Sequence, residues 1–296
     1  MKYAIIDIGS NSVRLAIFAD GKVIYRDKIT ARLGEGIAAD NKLKDFAVRR
    51  ALNAVIAFYK TAKDYGVESE NILPFATAAV RQTENGSDFV AAVYDATGIS
   101  VDVLSEEDEC KVAVIGALEG KDGTVLDVGG ASSELAVSKS GKIVYAKSLP
   151  IGAVKLRDAF LGKEDEIFSV LSKAVREYSL KSLKSLKSIT AIGGTACCLS
   201  FVLSGDKEYD RDKNHGRFVP ITDLYAHLLK IKDLSGEEIS RVYGLEKSRA
   251  ETIFYGGALI YEVLKYFKLD GYTLSENDNL EGYYLLKTKG KGYEEK

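Results

Sequence analysis

Two stretches of this chain follow one plan: Ile5 to Phe18, IIDIGSNSVRLAIF, and Val125 to Val137, VLDVGGASSELAV. Each is an apolar run ending in an Asp, then Gly and small hydroxyl residues, then a second apolar run, and the two Asp residues lie 120 positions apart. Runs of this kind joined by such a turn read as a strand, a phosphate-sized turn and a returning strand. Glycines let backbone N–H groups approach an anion closely, here Gly9 in the first turn and Gly129 and Gly130 in the second. Ser10, Asn11 and Ser12 supply polar side chains to the first turn, and Ser132 and Ser133 supply hydroxyls to the second. Asp127 and Glu134 put carboxylates at the two ends of the second turn, as Asp7 does at the start of the first. Carboxylates beside a phosphate imply a divalent metal or an activated water. A plain hairpin turn does not need Asp, Gly and hydroxyls in the same order twice. Two copies of one phosphate-binding hairpin therefore predict two similar domains facing a shared cleft.

Each hairpin opens a longer pattern. Strands are expected at 3–9, 12–20 and 22–33, with Asp20-Gly21 as a tight turn, so each half starts antiparallel. A helix over 43–65, stopped by Gly66, a strand at 71–80, a helix at 87–97 and a strand at 99–104 follow. Strands alternating with helices imply a mostly parallel continuation of the sheet. Ser105-x-x-Asp108 matches a capping box that opens a helix to Leu118. The pattern resets at Gly120–Gly123, which divides the chain into 1–120 and 121–296. Strands at 124–128, 133–138 and 142–149 come next, then helices at 153–160 and 164–183 and a strand at 188–193. Helices at 195–204, 221–231 and 246–267, a strand at 271–275 and a closing helix at 278–287 complete the second half. The run LKSLKSLKS from Leu180 to Ser188 reads as a charged, solvated helix end more readily than as a polyanion track.

Further residues invite chemistry. Arg81, placed at the end of a strand, can offer its planar fork to a phosphate or form an ion pair. Among the acids at 106–109, three suit a helix N-terminus without further function, whereas Glu109 stands where a helix leaves the first half. Gly193-Gly194-Thr195 is a strand-to-helix turn that suits a nucleotide or second phosphate, and equally a plain helix entry with Thr195 as cap. The two histidines share no ligand spacing, and the three cysteines are an odd set with an adjacent Cys197-Cys198 pair, so buried thiols are expected.

A net charge of −2 excludes a generic nucleic-acid binder, because a polyanion would have to be met by local cations. Met1-Lys2 leads straight into a strand, and no apolar run approaches the length of a membrane span, so a cytoplasmic protein without a membrane partner is expected.

These motifs together resemble the exopolyphosphatase / guanosine pentaphosphate phosphohydrolase (Ppx/GppA) family. The likeness runs in order through DIGSNSVRL at 7–15, RLGEGI at 32–37, TAAVRQTENG at 77–86 and SEEDECKVAVIGAL at 105–118. It continues through DVGGASSEL at 127–135, LPIGAVKL at 149–156, AIGGTA at 191–196 and RAETIFYGGALI at 249–260. The resemblance implies an α/β chain of two actin-like (ribonuclease H-like) domains, each a mixed sheet with an antiparallel start and flanking helices, facing an interdomain cleft. The chain resembles the short, two-domain members, whereas longer ones carry an additional helical C-terminal region. It implies that Glu109, with Cys110 in the usual Ala position, is the base that activates water. Asp127 and Glu134 would hold Mg²⁺ or order that water, with a monovalent cation as an optional companion. Asp7, Gly9, Ser10, Asn11, Ser12, Arg81, Gly129, Gly130 and Ser132 would bind phosphate, and Gly193, Gly194 and Thr195 a nucleotide or second phosphate. Ala131 stands where a third Gly is frequent, and Ser133 replaces a common Thr. The implied substrates are polyphosphate or guanosine pentaphosphate, the latter tied to the stringent response, and a homodimer fits the family. Lys181, Lys184 and Lys187, or Lys60 and Lys63, are candidate cations for a long polyphosphate. An actin-like ATPase or kinase, and a non-catalytic guanosine tetra- or pentaphosphate sensor, are the competing readings.

Overall fold

In a computed structural model, which describes residues 1–140, 142–179 and 186–289, the two repeated hairpins open two separate sheets. The first begins with β1 (Lys2–Ile8), β2 (Val13–Ala19) and β3 (Lys22–Ile29), an antiparallel meander. Asp20 and Gly21 link the last two with φ of 50° and 84°, the left-handed pair that a two-residue hairpin of native twist requires. After α1 (Ile37–Asp40) comes the 20-residue α2 (Asp45–Asp64), whose Ala47, Ala51, Ala54, Val55, Phe58 and Ala62 form a buried stripe at helical spacing. That stripe covers the β1–β2 face carrying Ile6, Ile8, Leu15 and Ile17. β4 (Ile72–Ala76) then joins β1 in parallel, and α3 (Ala78–Arg81), α4 (Gly86–Thr97) and β5 (Asp102–Val103) finish an order of β3-β2-β1-β4-β5. The expected strand over 71–80 is cut short. The N–H groups of Val80 and Arg81 both donate to the Thr77 carbonyl, and Gly86 packs so closely on Val80 that a Cβ would stand 2.0 Å from its carbonyl oxygen.

Helix α5 (Glu106–Leu118) leads to the second sheet: β6 (Gly123–Val128), β7 (Ser133–Lys139), β8 (Lys142–Leu149), α6 (Ala153–Phe160), α7 (Ile167–Ala174) and β9 (Thr190–Ile192). The chain goes on through α8 (Gly193–Ser204), α9 (Arg211–Asn214), β10 (Phe218–Pro220), α10 (Ile221–Ile231), α11 (Gly236–Tyr243), α12 (Lys247–Ala250), α13 (Ile253–Phe267) and β11 (Gly271–Leu274). Its order is β10-β11-β9-β6-β7-β8, antiparallel in the hairpins and parallel from β6 to β9 to β11. The repeat extends to its irregularities. Both second strands carry a register shift at the same offset, between Ile17 and Phe18 and between Val137 and Ser138.

Several elements differ from the sequence expectation. The helix at 164–183 is a 3₁₀ turn at Glu164–Glu166, then α7, then a second 3₁₀ turn at Val175–Tyr178; residues 180–185, with most of the LKSLKSLKS run, lie outside the described residues. The helix at 246–267 breaks between α12 and α13 at Glu251 and Thr252. Strand β10 and helix α11 stand where a loop was expected, and α11 carries a complete capping box from Ser235 and Glu238.

By their contacts the residues divide into Met1–Glu109 with Asn279–Thr288, and Cys110–Asp278. A boundary at 120/121 would leave the closing helix α14 (Asn279–Lys289) with the second sheet; it packs instead on the first. Tyr284 stacks on Phe18 with ring centroids 4.0 Å apart, Tyr283 lies 4.6 Å from Phe75, and the Tyr283 hydroxyl donates to Asp102 at 2.8 Å. Arg26 pairs with Glu281 beside them. Among the described residues no helix is long and apolar enough to cross a membrane.

Candidate functional site

Each turn of the repeat is closed by the same bond, from the Gly9 N–H to the Ser12 carbonyl at 3.1 Å and from the Gly129 N–H to the Ser132 carbonyl at 3.0 Å. In the first turn Asp7 sits opposite Arg14 on the ladder, and the Arg14 Nε–H donates to its carboxylate at 2.9 Å, with an Nη2 contact beside it. Arg14 in turn sits opposite Lys28. The outer side of the turn is backed by residues 31–44. The Gly34 N–H donates to the Ser10 carbonyl and the Arg32 N–H to the Asn11 carbonyl, both at 2.8 Å. A Cβ on Gly34 would stand 3.2 Å from the Ser10 Cβ, so only glycine leaves this approach unhindered. This strap is fixed at both ends. Arg50 donates to the Ala31 carbonyl at 2.8 Å and pairs with Glu35 at 2.6 Å, while the Asn85 amide accepts from the Leu43 N–H at 2.8 Å and donates to the Leu43 carbonyl at 3.0 Å.

Glu109, in the first turn of α5, is buried and ion-paired with Arg81 at 2.8 Å. Burial pushes its carboxyl above the ordinary value of 4.5; Arg81 opposes that by hydrogen bond and charge, and the negative charges of Asp7 and Glu106 add to the rise. A carboxylate held with a raised proton affinity is what a general base near neutral pH requires. Arg81 belongs to the short helix α3 rather than to a strand end, and its Nη1 also donates to the Leu104 carbonyl at 2.8 Å. Its Nε and Nη2 are buried without a protein hydrogen-bond partner, so two donors of the guanidinium are left for a ligand oxygen.

The second turn has the opposite polarity. Asp127 lies opposite Glu134 on the β6–β7 ladder, and Glu134 lies opposite Ser148, whose hydroxyl donates to Glu134 Oε1 at 2.8 Å. Where the first copy places Asp7, Arg14 and Lys28 in one row across the sheet, the second places Asp127, Glu134 and Ser148. Ser132 is almost fully enclosed at 5% exposure. Ser133 does not offer its hydroxyl to the turn: it is fully buried and bonded to the Tyr178 hydroxyl at 2.7 Å.

Gly193, with φ of 81°, lies against Asp127, whose Oδ1 would stand 2.5 Å from a Cβ there. Helix α8 starts at Gly193 and has no side-chain cap; the Thr195 hydroxyl donates instead to the Val128 carbonyl at 3.2 Å. A Cβ on Gly256 would meet Thr195 Cγ2 at 2.6 Å and Ala153 Cβ at 3.0 Å, so the first turns of α6, α8 and α13 meet at one point. The N–H groups of Ala153 and Val154 donate to the Gly129 and Gly130 carbonyls, each at 2.9 Å. Helix starts carry partial positive charge, which favours an anion beside this turn. Sequence reasoning missed Arg249. Its guanidinium lies flat on Gly194, where a Cβ would come within 2.4 Å of its Cζ. The signal was the Arg that opens RAETIFYGGALI, in the short helix α12 that precedes α13.

Among the described residues no three His, Cys, Asp or Glu side chains form a metal cage. Two opposed carboxylates nonetheless fit Mg²⁺, which is commonly held by one or two protein carboxylates with waters and substrate phosphate oxygens. The histidines have structural roles: His215 Nδ1 accepts from the Glu276 N–H at 3.1 Å, and His227 is buried against the Tyr243 ring. Cys110, Cys197 and Cys198 form no disulfide; Cys110 is buried, whereas Cys197 and Cys198 are only half-buried. Lys60, Lys63 and Lys187 are exposed, whereas Lys181 and Lys184 lie outside the described residues.

The Ppx/GppA phosphatase family model matches residues 15–288. The chain belongs to the Ppx/GppA phosphatase family. A bifunctional 3-dehydroquinate synthase/phosphatase of Fusobacterium nucleatum is 30% identical over 313 residues, which cover 97% of this chain and 47% of that protein. The chain thus spans about half the length of the curated relative it matches. The crystal structure of the Aquifex aeolicus family member is 27% identical with a TM-score of 0.82, covering 98% of both chains. An exopolyphosphatase from Cytophaga hutchinsonii, 20% identical with a TM-score of 0.85 and 98% of each chain covered, shares the fold. The two mixed sheets with flanking helices match these actin-like two-domain structures.

Proposed function

We propose that this Ppx/GppA chain is a phosphoanhydride hydrolase that removes the terminal phosphate of inorganic polyphosphate, guanosine pentaphosphate or both, with the two turns serving one substrate. The observation that carries the reading is Glu109: a buried carboxylate of raised proton affinity, held by an arginine that keeps two unpartnered donors. Glu109 takes a proton from the attacking water. Arg81 orients Glu109 through Nη1, and its remaining donors stabilise negative charge on the phosphoryl oxygens, where most catalysis of this reaction class lies. The N–H groups of the two glycine turns and the Ser12 and Ser132 hydroxyls bind the same oxygens. Asp127 and Glu134 would hold Mg²⁺, which when bound supplies charge neutralisation and orientation of the phosphates. Arg249, on Gly194, gives a second phosphate a cation at the start of α8.

The test is phosphate release from long-chain polyphosphate, guanosine pentaphosphate and ATP at equal enzyme, with Mg²⁺ and with a chelator. Release from either of the first two, lost with Mg²⁺ removal and in Glu109→Gln, is the expected result. Release from ATP alone would move the chain to an actin-like ATPase, and tight guanosine pentaphosphate binding without release would make it a sensor.

A further inference from the structure

The two copies of the repeat differ at the residue that opens the returning strand. In the first copy it is Val13, fully buried in an apolar core. In the second it is Ser133, also fully buried, and its polar groups face Tyr178, which is 0% exposed and 45 residues later in the chain. The Tyr178 hydroxyl donates to the Ser133 carbonyl at 2.8 Å. With its single proton committed there, it must accept from the Ser133 hydroxyl, 2.7 Å away. The pair therefore satisfies itself without water.

The carbonyl matters more than the hydroxyl. It belongs to the peptide that joins Ser133 to Glu134, so the tyrosine fixes the plane from which the Glu134 side chain starts. The need for this restraint follows from the divergence of the two rows. Asp7 and Arg14 attract across β1 and β2, whereas Asp127 and Glu134 are like charges directly opposite each other, an arrangement that pushes strands apart. Val13 holds its place by packing in a row that already attracts. The second row has no opposite charge facing Asp127 on the ladder, and Tyr178 bonds the carbonyl of the residue just before Glu134. The same contact explains why Ser133 is closed to ligands while its neighbour Ser132 is not bonded this way.

We propose that Tyr178 is a positioning residue for the acidic turn, acting through the Ser133 carbonyl to set the Glu134 carboxylate; this rests on the hydrolase reading above. Tyr178→Phe keeps the ring and removes only the hydroxyl. It is expected to lower kcat for the best phosphoanhydride substrate about tenfold with KM within about twofold, measured well below its melting temperature. Amide exchange of a peptide covering 128–137 should be about tenfold faster. Ser133→Ala retains the carbonyl bond and should keep kcat within about twofold of the parent protein. If the stranded Ser133 hydroxyl prevents Tyr178→Phe from folding, the double variant Ser133→Val, Tyr178→Phe restores the apolar solution of the first copy and should fold with the same low kcat. An unchanged kcat and exchange rate in the folded Tyr178→Phe or double variant overturns the proposal. So does an equal loss in Ser133→Ala, which would place the effect in the hydroxyl. A parent protein that hydrolyses no phosphoanhydride sinks the hydrolase reading instead, while the exchange measurement still decides whether Tyr178 holds the turn.

Discussion

Replacing Asn85 with Ala should loosen the first glycine turn, proposed above to bind phosphate, without touching it. The Asn85 amide answers both backbone groups of Leu43, at 2.8 and 3.0 Å, and Leu43 itself is only 2% exposed, so water cannot easily take over. Losing a hydrogen bond costs about 0.5–1.5 kcal/mol, and stranding a buried group raises that to about 1–3 kcal/mol. Two such groups bring the strap's attachment down by about 2–6 kcal/mol, while the Glu84 N–H bond to the Asn41 carbonyl stays in place. At 1.4 kcal/mol per factor of ten, opening of residues 31–44 becomes roughly 30- to 20,000-fold more frequent. Hydrogen exchange resolved to single amides reads this directly. Leu43 must lose protection in any case. The informative amides are Arg32 and Gly34, which donate to the Asn11 and Ser10 carbonyls. If the strap moves as a unit they follow Leu43, and KM for substrate rises several-fold. Loss of protection confined to Leu43, with KM unchanged, would show that the strap does not transmit to the turn.

Glu109→Gln should lower kcat by about 10²–10⁴, the usual contribution of a positioned base, measured as phosphate release. Because burial raises its carboxyl, the folded state holds that proton more tightly than the unfolded chain, so stability falls as pH rises from 4.5 through the raised folded value. Denaturant midpoints taken across that window should show a slope in the parent that is absent in Glu109→Gln. Activity needs the ionised form and should climb with pH through the same raised value; Arg81→Met, which removes the group holding it down, should move the acid limb of kcat to higher pH. Phe58→Ala, at 1% exposure in the α2 stripe, should destabilise by about 3–5 kcal/mol in urea unfolding with no change in KM. Asp102→Asn weakens the bonds from Tyr283 and Lys287 that fasten α14, and limited proteolysis should then release the C-terminal helix first.

The repeat was legible because its signals are local: an Asp, small turn residues and alternating apolar strands at a fixed offset. Even the bulge after Ile17 recurs after Val137, which a shared backbone plan requires. The placement of α14 was not legible, since Tyr283 and Tyr284 look like any helix face until Phe75 and Phe18, more than 200 residues earlier, stack on them. The apolar run that continues to Val80 points to a strand end for Arg81; the helical turn instead bonds Val80 and Arg81 back to Thr77, with Gly86 packed on the Val80 carbonyl. Helix α11 was readable and went unread, because its Ser235-Glu238 capping box lies in a stretch with few apolar residues. Arg249 lies against a backbone surface, the bare Cα of Gly194, so the Arg of RAETIFYGGALI is visible in the sequence but the glycine it meets, far earlier in the chain, is not.

The divergence of the two rows carries a last prediction. One row of the repeat holds Asp7, Arg14 and Lys28 and the other Asp127, Glu134 and Ser148, so the first sheet carries a net cationic wall and the second an anionic one. The anionic wall is strained in isolation, since directly opposed like charges cost roughly 0.2–1 kcal/mol on a sheet. Glu134→Gln keeps the acceptor that Ser148 uses and removes one of the two charges. It should therefore be more stable than the parent by about 0.2–1 kcal/mol in metal-free buffer, and markedly less active with Mg²⁺ present. Adding Mg²⁺ should stabilise the parent against denaturant more than the variant, because only the parent keeps both carboxylates. A Glu134→Gln protein that is less stable without metal, or that gains as much as the parent from Mg²⁺, would mean that Glu134 is there for the fold, and that the acidic row has no part in holding a metal.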